Sequence, residues 1–328
     1  MALRFVDSWD HYTTVLQKWT ATAGATIVAA AARTGIAGLR CTNVAHYVNL
    51  TLDAQGTWII GIATRTSAMV SQAFIVTKDG ANDQGRLRLN ADGTLSLLRN
   101  ATVVATSVNA LQPNVWYYIE FKHIILNAGG TLEVRVNGAV WATFAGDTQE
   151  TVNPTANIII LTGLGPTQDH DDLYILDGTG AINNNYLGVC RIECILPSGV
   201  GAYTEWLTLF GAASHWQANN EVPPNEDTSY VADLVLNSRD TYAYGNITSL
   251  ACAIPGIQTL MRAKQVLAGV ANVARLYRNG GADYQGADTL LTVNYAYLRE
   301  VIELDPNAGP GAWVPAAVNS AEFGARVR

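Results

Sequence analysis

The chain has 328 residues, a length that suits two cores better than one. Its net charge is −7 and only 14% of its residues are charged. With no Lys/Arg cluster interleaved with aromatics, this excludes the basic face that nonspecific nucleic-acid binding needs. The hydrophobic share is 49%, which predicts large cores under a weakly charged, small-residue surface of the kind that neighbours in an assembly cover.

The opening residues lack the apolar core of a secretory signal, and no apolar run is long enough to cross a bilayer. Residues 26–32 are apolar but stop at Arg33 and Gly35. Synthesis in a cytoplasm is expected, and the sequons at Asn49, Asn100 and Asn246 then carry no meaning.

Strand signals dominate the first half. Residues 47–52 alternate and end in the turn Asp53-Ala54-Gln55-Gly56; 58–64 read as a strand covered on both faces. Residues 73–76 end at Lys78-Asp79-Gly80, and 86–90 alternate strictly. Asp92-Gly93 at the centre of the next connection is a hairpin signal leading to 95–98. A strand at 102–108 follows. Pro113-Asn114-Val115 then leads into a strand that puts Trp116, Tyr118 and Glu120 on one side. Residues 131–141 form two strands around the Asn137-Gly138 turn, 157–161 form an apolar strand, and 172–176 close the set. The expected result is an antiparallel, hairpin-rich run of about ten strands.

Pro197-Ser198-Gly199 marks a boundary. Residues 206–229, with Trp206, Trp216 and Pro223-Pro224, read as an irregular segment draped over a surface. Strands are expected at 230–236, 240–244, 257–267, 273–278 and 289–298, with turns at 279–283 and 305–307. Residues 257–270 also fit helical spacing through Ile257, Leu260, Met261 and Lys264.

The order Pro113-x-x-Trp116-Tyr117-x-x-Glu120, then Val134-x-Val136-Asn137-Gly138, resembles the concanavalin A-like lectin or laminin G-like jelly roll over roughly residues 1–190. That fold hosts lectins, glycanases and inert modules alike. Pieces spread along the whole chain are similar to a family of tailed-bacteriophage virion proteins. They are Phe5-Val6-Asp7-Ser8-Trp9-Asp10-His11-Tyr12 with Lys18-Trp19, Arg33-Thr34-Gly35, and Asp171-Asp172-Leu173-Tyr174 with Asn185-Tyr186-Leu187-Gly188 and Arg191. Residues 223–231, Ala312-Trp313 and 318–324 complete them. Cys190 departs from that pattern, where a charged residue is more usual. The resemblance implies a structural component and brings no catalytic residues.

Candidate chemistry is sparse. Asp169, Asp171, Asp172 and Asp177 cluster and could hold Ca²⁺, but no EF-hand spacing exists. Solvated loop acids, with one Asp capping backbone amides, are the plainer reading. Asp79, Asn82 and Asp83 form a similar loop. Glu120 and Glu133 stand alone, without the Glu-x-Asp-x-x-Glu string of a jelly-roll glycanase. His11, His46, His123, His170 and His215 are scattered, and none pairs with a nucleophile elbow. Tyr203, Trp206 and Trp216 could stack on sugars but more often anchor cores or interfaces.

Cys41, Cys190, Cys194 and Cys252 show no CxxC and no metal spacing. Cys190 and Cys194 are expected on one strand face, too far apart to bond. Buried reduced thiols are the expectation, and a Cys41–Cys190 bridge the alternative.

The sequence thus predicts an all-β chain, with a concanavalin A-like jelly roll at 1–193 and a smaller β-rich, virion-interacting domain at 194–328 with extended arms at 206–229 and 310–328. It predicts a non-enzymatic virion structural protein, decorating or cementing the head or neck and made in the host bacterial cytoplasm. The alternative is a carbohydrate-binding tail or host-adhesion protein. The expected partners are other virion subunits (major capsid, neck or tail proteins) and further copies of the chain, with a surface glycan possible and neither nucleic acid nor membrane. No catalytic, cofactor-binding or metal residue is assigned.

Overall fold

A computed structural model describes residues 2–248, 253–267, 269–309 and 311–328. The chain divides into two compact units, Met1–Ile192 and Glu193–Arg328.

The first unit is a two-sheet antiparallel jelly-roll sandwich. Its strands are β1 (Leu3–Asp7), β2 (Ala21–Ala23), β3 (Thr26–Val28), β4 (Gly38–Cys41), β5 (Tyr47–Gln55), β6 (Thr57–Thr66), β7 (Gln72–Asp79) and β8 (Asn82–Leu89). They continue with β9 (Thr94–Arg99), β10 (Thr102–Ala110), β11 (Tyr117–Ile124), β12 (Gly130–Val136), β13 (Ala139–Gly146), β14 (Ala156–Thr162) and β15 (Gln168–Asp177). One sheet runs β13-β12-β11-β6-β15-β4-β3, with β1 also on β15; the other runs β10-β9-β8-β7-β14-β5-β2. The short β1 to β4 are the strands the sequence hid, because three to five residues show no period.

Alternation decides what faces the core. On β11, Ile119, Phe121 and His123 point between the sheets, where His123 meets Thr77 of β7 at 2.8 Å. Tyr118, Glu120 and Lys122 lie on the outer face. That face is covered by residues 185–192 of the same unit. Lys122 Nζ donates to Asn185 Oδ1 at 3.2 Å, Tyr186 lies over the Arg135 guanidinium at 3.9 Å, and the Gly188 N–H donates to Glu120 Oε1 at 2.8 Å. Cys190 and Cys194 sit in irregular chain here, not on a strand. Cys41, Cys190 and Cys194 are all free thiols, so the Cys41–Cys190 bridge is absent; Cys252 lies outside the described residues.

The N-terminal segment is tied down by one buried carboxylate. Asp7 accepts from Tyr12 Oη at 2.6 Å, Trp19 Nε1 at 2.9 Å, Lys18 Nζ at 3.0 Å and the Trp9 N–H at 3.1 Å. Burial pushes its acidity down, but Lys18, His11 and these hydrogen bonds outweigh it and hold the carboxyl below its ordinary pKa.

The second unit holds β16 (Pro197–Thr204), β17 (Thr208–Phe210), β18 (Tyr230–Ala232), β19 (Arg239–Tyr244), β20 (Ile257–Ala263), β21 (Asn272–Asn279), β22 (Ala282–Leu290), β23 (Ala296–Ile302), the short helix α1 (Pro315–Ser320) and β24 (Glu322–Val327). Its main sheet runs β16-β19-β24-β21-β22, beside the pairs β17-β18 and β20-β23. The helical alternative at 257–270 fails: Ile257–Ala263 pairs residue by residue with β23. The strand expected at 289–298 is instead the end of β22, a loop and the start of β23. The strand expected at 230–236 stops at Ala232.

Of the arm expected at 310–328, the described residues 311–328 are not an arm. β24 is the middle strand of the sheet, and Trp313, Val318 and Phe323 form the core with Tyr277 and Ala321. Alternation on β24 buries Phe323 and Ala325, which is why it cannot extend outward.

Candidate functional site

The four clustered aspartates are not solvated loop acids. All four lie on β15, whose ten residues are all buried. The strand bulges between Asp171 and Tyr174 against β6, and Asp172 there takes a left-handed φ of 52°. The bulge turns two consecutive carboxylates to useful partners. Asp171 Oδ2 accepts the N–H groups of Arg33 (2.7 Å) and Thr34 (2.9 Å). Asp172 accepts from Arg33 Nη1 (2.8 Å), Thr34 Oγ1 (3.0 Å) and the Ile192 N–H (2.7 Å). Asp169 receives Arg40 Nε and Arg65 Nη2, each at 2.7 Å, and Asp177 receives Arg4 Nη1 at 2.6 Å. Burial and then the Asp172 charge push the Asp171 carboxyl up to about 7. These acids clamp chain segments. Among the described residues, no group of three or more His, Cys, Asp or Glu side chains is placed to hold a metal ion.

Glu120 and Glu133 do not stand alone. Both lie on the outer face of the β11-β12 pair, opposite Arg135 and Lys122 respectively. Glu120 receives the Tyr174 hydroxyl and the Gly188 N–H, and Glu133 receives Arg135 Nε at 2.7 Å. Residues 185–192 cover this cluster, so it works as an anchor for that segment.

The histidines stay scattered. His46 accepts the Thr42 N–H at 3.2 Å, His215 Nδ1 lies 2.8 Å from Asp240, and His11, His123 and His170 are buried. The sugar-stacking candidates do not gather either. Tyr203 contacts the guanidinium groups of Arg239 (3.5 Å) and Arg278 (5.1 Å), and Trp206 donates to the Ser238 carbonyl at 3.3 Å. Trp216 begins a short 3-10 turn and is half-buried.

The second acidic loop has an open groove of about 620 Å³ beside it, lined by 81–83, Arg86, Asn100 and 150–152. That size falls in the range of small-ligand clefts. Asp79 ends β7 and Asn82 begins β8, so the turn between them stands at one end of the sheet. The rim alternates in sign. Asp83 pairs with Lys78 at 3.0 Å and with Arg86. Arg86 Nη2 reaches Asn100 Oδ1 at 3.3 Å, Asn100 Nδ2 donates to Glu150 Oε1 at 3.1 Å, and Arg99 bridges Glu150 (3.4 Å) and Asp147.

The 150–153 loop beside the groove is held by a residue that sequence reasoning missed. Gln84 is fully buried. Its Oε1 accepts the Glu150 and Thr151 N–H groups at 2.7 and 3.2 Å. Its Nε2 donates to Thr151 Oγ1 and the Asn153 carbonyl, both at 2.8 Å. A single Gln in a polar turn gives no pattern, so nothing in the sequence marks it. Asp79 lies just outside the lining and holds the same loop, accepting from Thr151 Oγ1 at 2.7 Å and Asn153 Nδ2 at 2.9 Å.

No protein-family model matches the chain, and no curated protein matches it. Solved structures resemble parts of it. An endo-β-1,4-glucuronan lyase from the fungus Trichoderma reesei matches with TM-score 0.40 and 12% identity, covering 53% of this chain and 95% of that one. Domain 4 of a GH43 extracellular arabinanase from Geobacillus stearothermophilus gives 0.37 and 16%, over 54% and 93%. A Caenorhabditis elegans galectin gives 0.30 and 18%, over 42% and 95%. Alginate lyase and sialidase structures also match. The expectation of a non-enzymatic chain is corrected by these findings, since lyases and sialidases stand among the similar structures. The functional reading rests on this chain's own residues.

Proposed function

We propose that this protein binds a neutral glycan in the groove at Asn82, Asp83, Arg86, Asn100, Glu150 and Thr151. The observation that carries the reading is the charge balance of the rim. Lys78, Arg86 and Arg99 face Asp83, Asp147 and Glu150, and each cation contacts a carboxylate. A lone anion or cation would have to break such pairs. A polyhydroxylated ligand instead both donates and accepts, and can bridge carboxylate, amide and guanidinium groups without disturbing their charges. The planar side chains are held by one another and Gln84 holds the backbone of the 150–153 loop, which lowers the ordering cost of binding. A glycan array probed with the full chain tests it, with Arg86→Ala and Asn100→Ala as paired controls. Hits that both variants lose are expected; no hits, or hits that survive both changes, overturn the reading.

A second reading concerns where such a protein works. The second unit exposes Leu207, Leu234, Val235 and Leu236, and at another end Val266, Leu267, Val270 and Val293. Leu207 and the 234–236 loop are brought together because Thr208 pairs with Ala232. Large exposed aliphatic side chains in clusters support an attachment surface. This favours a virion subunit that joins other virion proteins through the second unit and meets a host-surface glycan through the first, after synthesis in a bacterial cytoplasm. Mass spectrometry of purified virions checks this placement, and absence of the chain from the particles removes it.

A further inference from the structure

We propose that β13 is a self-pairing edge, through which two copies of the chain join antiparallel across a two-fold axis. The two sides of the first unit's sandwich differ. On one side the sheets end in β3 and β2, three residues each, too short to template another strand. On the other side they end in β13 and β10, of eight and nine residues, lying next to each other. Neither of these long edges holds an ionisable side chain or a proline. Natural sheets guard a solvent-exposed edge with charge, proline, bulges or brevity. β10 has the bulge protection: its register with β9 shifts twice, between Val103 and Ala105 and between Thr106 and Ala110. β13 shifts once against β12 and pairs from Ala139 to Gly146. It is the long edge left least guarded, about 26 Å of extended backbone.

The occupant that fits is a second copy of the same strand. Isologous antiparallel pairing sets β13 against its own sequence reversed, so any charge on it would enter the seam from both copies. β13 has none. Ala139, Val140, Thr143 and Ala145 are exposed, Val140 by 50%, and are small enough for a strand to approach along the whole edge. Beside it on β10, Val103 and Val108 are 43% and 95% exposed. A partner on β13 covers them too, adding apolar area to the backbone hydrogen bonds.

Sedimentation velocity of the full chain across a concentration series tests the proposal. The expected result is a shift from the single-chain mass to twice that mass as concentration rises. Thr143→Lys and Ala145→Lys, each bringing two ammonium groups into the uncharged seam, are expected to weaken the dimer at least tenfold. Val44→Lys, at an exposed site away from the edge, is expected to leave it unchanged. Circular dichroism shows whether each variant keeps the strand content of the parent; if one does not, the other is read. A monomer at every concentration, or a dimer that tolerates both edge lysines, overturns the proposal.

Discussion

Arg33 and Asp172 meet at 2.8 Å, Nη1 on Oδ2, from positions 139 residues apart in the chain. The same guanidinium donates to the Cys190 carbonyl at 3.1 Å, so one pair fastens two separate segments, around residues 33 and 190, onto β15. Asp172→Ala is expected to destabilise the first unit by about 3 kcal/mol, the lower end for a broken buried pair because Arg33 stays partly exposed. Asp172→Asn keeps an acceptor and tolerates the left-handed backbone, and is expected to cost about 1–2 kcal/mol. Urea titration of both variants checks the order; equal costs would mean that charge is irrelevant at this clamp.

Local features were legible in the sequence and contact features were not. Alternation and short apolar runs located β5 to β12, and Asp92-Gly93 and Asn137-Gly138 located two hairpins, because strand patterning and turn chemistry are local. The closing strand at 172–176 and one buried Asp capping backbone amides were both expected, and Asp171 fills that capping role; the solvated setting given to the other acids was wrong, since strand burial on both faces depends on what residues 33–34 and 185–192 do. Arg33-Thr34-Gly35 was noticed as a pattern without a reason. The reason is close packing: a Cβ on Gly35, at φ +67°, would come 2.2 Å from Asp10 Oδ2, whose other oxygen caps the Ile36 and Ala37 N–H groups. The groove was half seen. Asn82 and Asp83 were chosen from the loop, while Gln84, Asn100 and Glu150 join it only through the fold.

Acid lability is expected from buried imidazoles. Burial pushes His11 down to about 3, and His123 and His170 down to about 4, from an ordinary 6.5. Between those values and 6.5 the unfolded chain binds protons that the folded chain refuses, so stability rises with pH in this window and is lost as pH falls below about 6.5. Asp171 works the other way: raised to about 7, it favours the folded state most at low pH and loses that contribution as pH rises through 7. Burial raises Asp172 and Asp240 as well, which act as Asp171 does, while Asp7, Glu205 and Asp283 are held low and act with the histidines; the expected net is a fall in Tm from pH 6.5 to pH 4. His170 has no hydrogen-bond partner on either ring nitrogen, so His170→Leu is expected to flatten the slope. Thermal melts across pH check both; a flat wild-type profile contradicts the assignment.

Cys41 and Cys190 are expected to resist alkylation in the folded protein. Burial first, then Asp169 for Cys41 and Glu120 for Cys190, push both thiols up to about 12. The thiolate is the reactive species, so little of it exists at pH 8. Peptide-level mass spectrometry after iodoacetamide treatment should find both unlabelled natively and labelled in urea. Rapid native labelling of Cys190 would show that residues 185–192 lift away from the sheet.

Groove binding and groove scaffolding are expected to separate by mutation. Arg86→Ala removes a rim group and should weaken glycan binding roughly tenfold, about 1.4 kcal/mol, with little change in Tm. Gln84→Ala leaves the Glu150 and Thr151 N–H groups without their acceptor and should lower both Tm and affinity. Calorimetric titration beside a thermal melt reads the split. An Arg86→Ala protein that binds as well as its parent places the ligand elsewhere.

Trp313 carries the second unit's core. Its ring meets Tyr277 edge-on at 5.2 Å, and its indole N–H donates to the Ile302 carbonyl at 2.9 Å. Tyr277 in turn stacks on Tyr284 and donates to Asp305 at 2.7 Å, so the aromatic group ties β21, β22 and the 305–308 turn together. Trp313→Ala opens a large cavity and leaves a carbonyl unpaired, and is expected to cost about 3–5 kcal/mol. Trp313→Phe keeps most of the volume and loses the hydrogen bond, for about 1–2 kcal/mol. Near-ultraviolet circular dichroism and urea titration check the pair. If Trp313→Ala is nearly neutral, residues 311–328 are held by β24 pairing alone and the aromatic core is dispensable.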